Sequence, residues 1–208
     1  MENLNNILLT DFPLEILQII FDKLDFRNQI IFRQQCKYFY EGLRIWDLMN
    51  IDIIFLVELD DDILKKFKHI KYLDICLNNN VTNEGIKHLN LLKLNVCEND
   101  TITDDGIKNM KLHTLYAAAS KISDEGIKDM NLLTLNASCN KNITDKGIKH
   151  MNLRNLRASD NEKITNDGIK HMNLYKLRAI NNKKITSEGV KHMKSCKLIT
   201  QHRLNFLL

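Results

Sequence analysis

From residue 70 onward, apolar and polar positions return in a fixed order. An apolar-x-x-apolar-x-apolar-x-x-Asn phrase runs through Ile70, Leu73, Ile75 and Asn78. It recurs at Leu91, Leu94, Val96 and Asn99, and later at Leu153, Leu156, Ala158 and Asn161 and at Leu174, Leu177, Ala179 and Asn182. Two middle copies begin at Leu112 and Leu132, the first with Ser120 where the others have Asn. Between phrases lies a second one, Ile143-Thr144-Asp145-Lys146-Gly147-Ile148-Lys149-His150-Met151 in one copy. Its glycines, Gly85, Gly106, Gly126, Gly147, Gly168 and Gly189, are 21 residues apart with one step of 20. The first phrase predicts a short strand with its apolar pair facing inward. The second predicts a helical turn capped by Thr or Ser, with acids near its positive end and Ile148 and Met151 inward at i, i+3. A period of this size predicts a solenoid, in which each unit buries its apolar face only by stacking on its neighbours.

The pattern before residue 70 differs. Ile16, Leu17, Ile20, Phe21 and Leu24 fall at helical spacing, with Asp11 placed to cap and Pro13 in the first turn. A second helical stretch is expected from Asn28 to Leu43, followed by Trp46. Some 37 residues over 11–47 are too few to bury these apolar groups alone, so either the repeats or a partner must cover them. The expected division is therefore a helical head over 1–50, a worn first repeat and junction over 51–69, six repeats over 70–194, and a decayed copy or C-terminal cap over 195–208.

Composition adds a charge asymmetry. The net charge is +4, and residues 1–50 hold five Lys/Arg against seven Asp/Glu, or −2, which leaves +6 for the remainder. Five cysteines without a CxxC pair fit reduced thiols. The N-terminus has no basic flank and no sustained apolar core, and no apolar run reaches membrane-spanning length, so an intracellular protein of cytoplasm or nucleus, neither secreted nor membrane-bound, is expected.

Wording in the head then becomes specific. Phe12-Pro13-Leu14-Glu15-Ile16-Leu17, Ile20-Phe21-Asp22-Lys23-Leu24-Asp25, Cys36-Lys37-Tyr38-Phe39 and Trp46 resemble, in order and spacing, the F-box patterns LPxEIL, IFxxLD, VC[KR]xF and a closing Trp. Phe12 stands where Leu is usual, Gln34 and Gln35 replace apolar residues, and Asn28 replaces a common acid. The repeat phrase is the leucine-rich-repeat signature, and its combination with I-T-D-x-G-I resembles the repeats of F-box/leucine-rich-repeat proteins, with shorter units. The resemblance implies an α/β chain: a short helical F-box, then a solenoid with parallel strands on the concave face and short helices or turns on the convex one. It further implies a non-catalytic substrate receptor of a Skp1-cullin-F-box ubiquitin ligase. Phe12, Pro13, Ile16, Leu17, Ile20, Phe21, Leu24 and Trp46 would contact Skp1.

Motifs for other chemistry are missing: the sequence has no GxGxxG, GxxxxGK[ST] or HExxH, and no cofactor is expected. His150, His171 and His192 would stack one above another, but they stand beside a ladder of lysines (Lys87, Lys108, Lys128, Lys149, Lys170, Lys191) that opposes a cation, so no metal is expected. The same ladder suggests phosphate binding, yet acids precede it in each repeat and no aromatic residues interleave for stacking, so a basic-surface nucleic-acid binder is the weaker reading. Another alternative is a scaffold that sequesters a partner without ubiquitination.

Positions where the copies disagree lie at alternate, outward-facing places on the strands. One row reads Tyr72, Lys93, Thr114, Thr134, Asn155, Lys176 and the next Asp74, Asn95, Tyr116, Asn136, Arg157, Arg178. Arg154 and Tyr175 are expected to extend this patch. Tyr72, Tyr116, Asn136, Arg154, Arg157, Tyr175, Lys176 and Arg178 are thus the candidate substrate contacts, suited at the basic end to an acidic or phosphorylated protein.

Overall fold

A computed structural model describes residues 9–49, 51, 53–193 and 195–199. The side chain of Asp11, the expected first cap, falls outside it, as do the last residues of the expected C-terminal cap.

Among the described residues the head holds a 3-10 turn (Leu9–Asp11) and three short helices, α1 (Leu14–Phe21), α2 (Phe26–Arg33) and α3 (Lys37–Gly42). Helix α1 starts just after Pro13, whose extended ψ of 143° turns the chain in, so the ring stands at the cap instead of inside the first turn. The single helix expected from Asn28 to Leu43 is two. Asp25 caps earlier, its carboxylate accepting the Asn28 N–H at 2.9 Å, and Cys36, in extended conformation, separates α2 from α3. The break lets Phe39 fold back onto Phe32, ring centroids 4.8 Å apart and nearly parallel, while Phe21 meets Phe32 at 6.2 Å.

Among the described residues eight parallel strands follow in chain order: β1 (Asp47–Leu48), β2 (Tyr72–Asp74), β3 (Lys93–Asn95), β4 (Thr114–Tyr116), β5 (Thr134–Asn136), β6 (Asn155–Arg157), β7 (Lys176–Arg178) and β8 (Lys197–Ile199). Between β1 and β2 lie α4 (Ile53–Glu58) and α5 (Asp61–Leu64). Thereafter each crossover holds one helical turn: α6 (Asn83–Ile86), α7 (Asp104–Ile107), α8 (Asp124–Ile127), α9 (Asp145–Ile148), α10 (Asn166–Ile169) and α11 (Ser187–Val190). Strands pair in strict register, with Leu73, Leu94, Leu115, Leu135, Leu156, Leu177 and Leu198 side by side. One apolar core runs unbroken from Leu17 and Phe21 in the head to Met193.

The buried asparagines hold successive coils together. Asn140 donates from Nδ2 to the carbonyls of Ala117 (2.9 Å) and Ile122 (3.0 Å) in the preceding coil, and its Oδ1 accepts the N–H groups of Asn142 and Ile143 at 2.8 and 3.1 Å. A buried turn would otherwise leave these groups unpaired. Asn78 does the same to Leu56 and Leu59, at 2.5 and 2.8 Å, so the segment carrying α4 and α5 is a coil of the same solenoid.

Head and solenoid meet at an aromatic cluster, where Phe26 packs on Phe55 (4.6 Å) and Phe67 (6.3 Å). Within the head, the Gln18 amide ties α1 to the segment after α3, accepting the Arg44 N–H at 2.8 Å and donating to its carbonyl at 2.9 Å. No helix among the described residues is long and apolar enough to cross a membrane.

Candidate functional site: an apolar head face and a polarised concave face

The sequence of α1, LEILQIIF, is apolar except for a narrow stripe of Glu15 and Gln18 at i, i+3, so its apolar surface is wider than a single contact covers. The core covers one side only. Leu17 and Phe21 are buried (1% and 0% exposed), and Leu24 is half-buried against the same core. Phe12, Ile16 and Ile20 remain 41%, 45% and 50% exposed, with Pro13 beside them. The eight residues nominated for the head contact therefore divide. Phe12, Pro13, Ile16 and Ile20 form an open apolar face, whereas Leu17, Phe21 and Leu24 support it from within. Ile19, 61% exposed and one helical turn from Ile16, belongs to the open face and was absent from the nominated set. The continuous apolar run at 19–21 was the available signal. Trp46 lies elsewhere, half-buried at the seam with the first coil; its ring is 6.1 Å from that of His69 and its carbonyl accepts the N–H groups of Lys71 and Tyr72. Burial, then the nearby Arg44 charge, holds His69 below its ordinary pKa.

On the concave face the two nominated rows are in register. Tyr72, Lys93, Thr114, Thr134, Asn155, Lys176 and Lys197 stand side by side, and so do Asp74, Asn95, Tyr116, Asn136, Arg157 and Arg178. At the head-proximal end Asn95 donates to Asp74 at 2.8 Å, and the Lys93 ammonium sits 5.5 Å from the centre of the Tyr116 ring. These contacts tie the early coils to themselves. At the far end Asn136, Arg157, Arg178 and Lys197 line an open cleft of about 970 Å³, adjoined by a smaller one of about 240 Å³ that includes Tyr116, Asn136, Arg157 and Lys176.

Arg154 and Tyr175 are not part of this surface. They precede their strands and line a separate cleft of about 600 Å³ with His171, His192 and Ser195. Tyr72, in β2, stands three strands from Asn136 in β5, toward the other end of the sheet. The nominated residues thus separate into a concave trough (Tyr116, Asn136, Arg157, Lys176, Arg178), a lateral pair (Arg154, Tyr175) and the isolated Tyr72. Lys197 in the last strand was missed because the phrase around it has lost its leucines apart from Leu198.

Most lysines of the convex ladder are in ion pairs, Lys149 excepted. Lys65, Lys87, Lys108, Lys128 and Lys170 reach an acid three residues earlier at 2.5 to 3.5 Å, and Lys191 pairs with Glu188 likewise. The Lys108 ammonium lowers the Asp105 pKa, and Glu125 raises that of Lys128. His150 and His192 direct Nε2 at backbone carbonyls, of Lys128 at 2.6 Å and Met172 at 3.0 Å, which requires an N–H there. Among the described residues no group of three or more His, Cys, Asp or Glu could hold a metal ion. Cys97 is pushed up to about 11 by burial, and burial also raises Cys76.

Comparison with known proteins agrees with this division. Residues 9–45 match the F-box domain. A search of curated proteins found no match. Among solved structures, a chain in the "Crystal structure of Rad7 and Elc1 complex in yeast" is similar with a TM-score of 0.51 at 14% identity, over 69% of this chain and 45% of that one. The likeness is one of fold, and the present chain spans less than half of its neighbour.

Proposed function

We propose that this chain, with an F-box domain at residues 9–45 and a parallel-sheet solenoid behind it, is a non-catalytic substrate adaptor of a Skp1-cullin-F-box ubiquitin ligase. The observation that carries the reading is the open apolar face of Phe12, Pro13, Ile16, Ile19 and Ile20, inside the F-box match and pointing away from the solenoid core. An exposed apolar patch on a small helical module fits a protein partner. On this reading a Skp1-like adaptor covers that face and links the chain to a cullin, while the concave trough holds a protein substrate. The chain itself makes and breaks no bond. It accelerates ubiquitin transfer by raising the local concentration of substrate beside the conjugating component. The neighbour of similar fold comes from a complex of Rad7 and Elc1, which fits a chain of this fold working with a protein partner.

The Phe26-Phe55-Phe67 cluster joins the head to the first coil. Such a mounting favours an adaptor, because it gives a bound substrate a defined position relative to the ligase. Co-expression with Skp1 and a cullin tests the reading. Co-purification of all three is expected, and a chain that elutes alone contradicts it. A sequestering scaffold would retain Skp1 while failing to support ubiquitin transfer in a reconstituted reaction.

A further inference from the structure

Most lysines of the convex ladder have an acid beside them, and the cations at the junction of head and first coil do not. A cleft of about 310 Å³ opens there, walled by Arg33 at the end of α2, Arg44 after α3, and Lys66, Lys68 and His69 between α5 and β2. Its one acid is Glu41, which sits 3.7 Å from Lys37 in an exposed pair on α3. Four permanent cations against one carboxylate leave a net +3 with His69 neutral. No ion pair to Arg33, Arg44, Lys66 or Lys68 is found among the described residues, and Asp62, outside the cleft, is held by Lys65 at 2.6 Å. Burial first, then the charges of Arg44, Lys71, Lys68 and Arg33, hold the His69 pKa down, so these groups act on one another.

A second observation comes from Arg33. Its Nη2 donates to the Tyr40 carbonyl at 2.8 Å and its guanidinium lies over the Tyr40 ring, 4.9 Å from the centre, but its Nε is buried with no hydrogen-bond partner. It is the only such side-chain atom among the described residues. Folded chains rarely leave a buried donor unpaired, and one beside a basic cleft calls for an acceptor from outside the chain. We infer that this cleft binds the phosphoryl group of a small phosphomonoester, gripped by Arg33 and Arg44 from the head and by Lys66 and Lys68 from the first coil. Such a group brings close to two negative charges and three acceptor oxygens, which answers two guanidinium groups where a single carboxylate answers one. Because the grip comes from both modules, the bound anion ties head to solenoid alongside the Phe26 cluster. The inference goes beyond the adaptor reading and does not depend on it, since the open face of α1 lends no residue to the cleft.

Size and lining favour a small molecule over a peptide or a nucleic acid. The volume lies at the lower end of the range for small-ligand pockets, about 300 to 1,000 Å³, and the cleft lies between two modules, where such pockets are common. None of its lining residues belongs to a strand, so it offers no sheet edge for an extended peptide to join. The Asp60-Asp61-Asp62 run at the start of α5 follows in the same coil, so no basic track continues beside the cleft for a nucleic-acid backbone.

Titration calorimetry on the full chain tests this with glycerol 2-phosphate as the probe, beside acetate at matched ionic strength. The phosphomonoester should bind at least about tenfold more tightly. Arg33→Gln should remove that preference. So should Lys66→Gln with Lys68→Gln, whose side chains are exposed, which keeps the test valid if loss of the Arg33 contacts to Tyr40 disturbs α2 and α3. Lys108→Gln on the convex face should leave the preference intact, and unchanged melting temperatures without ligand verify folding. Glycerol 2-phosphate should also raise the melting temperature of the parent chain and fail to raise that of the lysine variant. Equal binding of glycerol 2-phosphate and acetate overturns the inference, as does a preference that survives the lysine substitutions. It is also overturned if a phosphoserine heptapeptide binds at least about tenfold more tightly than glycerol 2-phosphate, or if a single-stranded oligonucleotide binds while glycerol 2-phosphate does not.

Discussion

Asp145 grips Thr165 of the next coil with both carboxylate oxygens, Oδ1 accepting the backbone N–H at 2.7 Å and Oδ2 the hydroxyl at 2.7 Å. Asp61 with Thr82, Asp104 with Ser123 and Asp124 with Thr144 repeat the arrangement. The grip explains the glycine ladder. A Cβ on Gly168 would lie 2.1 Å from that same Asp145 Oδ1 and 3.2 Å from its Cα. No glycine has positive φ, so these positions are occupied by glycine for space and not for backbone freedom.

A mutant cycle measures this coupling. Alanine normally favours a helical turn over glycine by up to about 1 kcal/mol, but Gly168→Ala is expected to destabilise by about 2 kcal/mol through overpacking. Asp145→Ala should cost about 2 kcal/mol by leaving two donors unpaired. Because the first substitution displaces the carboxylate that the second removes, denaturant unfolding of the double variant should show less than the sum. Full additivity would mean that the two residues do not share this space.

Two coils use Asn in place of Asp, and their caps differ. Asn83 and Asn166 donate Nδ2 to the hydroxyls of Thr103 and Thr186 at 2.8 and 2.9 Å, and neither threonine caps its helix. Where the partner is Asp, the threonine donates its proton and its oxygen stays free to accept, as Thr165 does from the Asp167 N–H at 3.1 Å. Asn83→Asp should therefore restore a cap at Thr103 and stabilise the protein by about 1 kcal/mol. A melting temperature that fails to rise argues against this proton-direction explanation.

Backbone strain sits at other positions. Leu77, Glu98, Ala119, Cys139, Asp160 and Asn181, each directly before the buried Asn or Ser, have φ between 48° and 61°. Left-handed geometry costs a residue with a Cβ roughly 1 kcal/mol or more, set against the greater flexibility that glycine brings to the unfolded chain. Glu98→Gly, on an exposed side chain, should be neutral or stabilising by up to about 0.5 kcal/mol, in contrast to the loss at Gly168→Ala. Chemical denaturation of the two single variants side by side checks the contrast.

Thiol reactivity should follow burial. Cys139 is exposed, while Cys97 is half-buried with its pKa raised to about 11. Iodoacetamide at pH 8 is expected to label Cys139 first and Cys97 much later, as read by peptide mass spectrometry. A raised thiol pKa favours the folded state while the thiol is protonated. That contribution is complete below the thiol's ordinary value and is lost as pH rises through about 11. Stability that is flat from pH 8.5 to 11 in a Cys97-dependent comparison with Cys97→Ala would contradict it.

Sequence and structure agree best where a residue's role repeats. The period and the inward leucines follow from spacing, and the parallel strands and the Asn ladder from the repeat signature, because each coil meets the same neighbours. Local exceptions were harder to read. The 20-residue step falls between Ser120 and Ile122, where other coils have one more residue, and it coincides with the exchange of Asn for Ser. The shorter side chain serves the shorter turn: Ser120 Oγ donates to the Ala117 carbonyl at 3.0 Å and accepts the Ile122 N–H at 3.4 Å. Nothing in the periodic pattern gave the division of α1 into a buried and an open face, since Leu17 and Ile16 are equally apolar and only packing into the core separates them. Arg154 and Tyr175 were grouped with the concave rows by proximity in sequence, although they stand before the strand, where the chain still faces sideways.

That division of α1 supplies the most direct measurement. Skp1 affinity is read by titration calorimetry for the parent chain, for Ile16→Asp with Ile20→Asp on the open face, and for Lys108→Gln as a surface control. The paired aspartates should leave the melting temperature within a few degrees, because both positions are exposed, and weaken Skp1 binding at least about a hundredfold by burying charge in an apolar contact. Parent-level affinity in that variant, or no measurable Skp1 binding by the parent chain, would contradict the adaptor function assigned to the head.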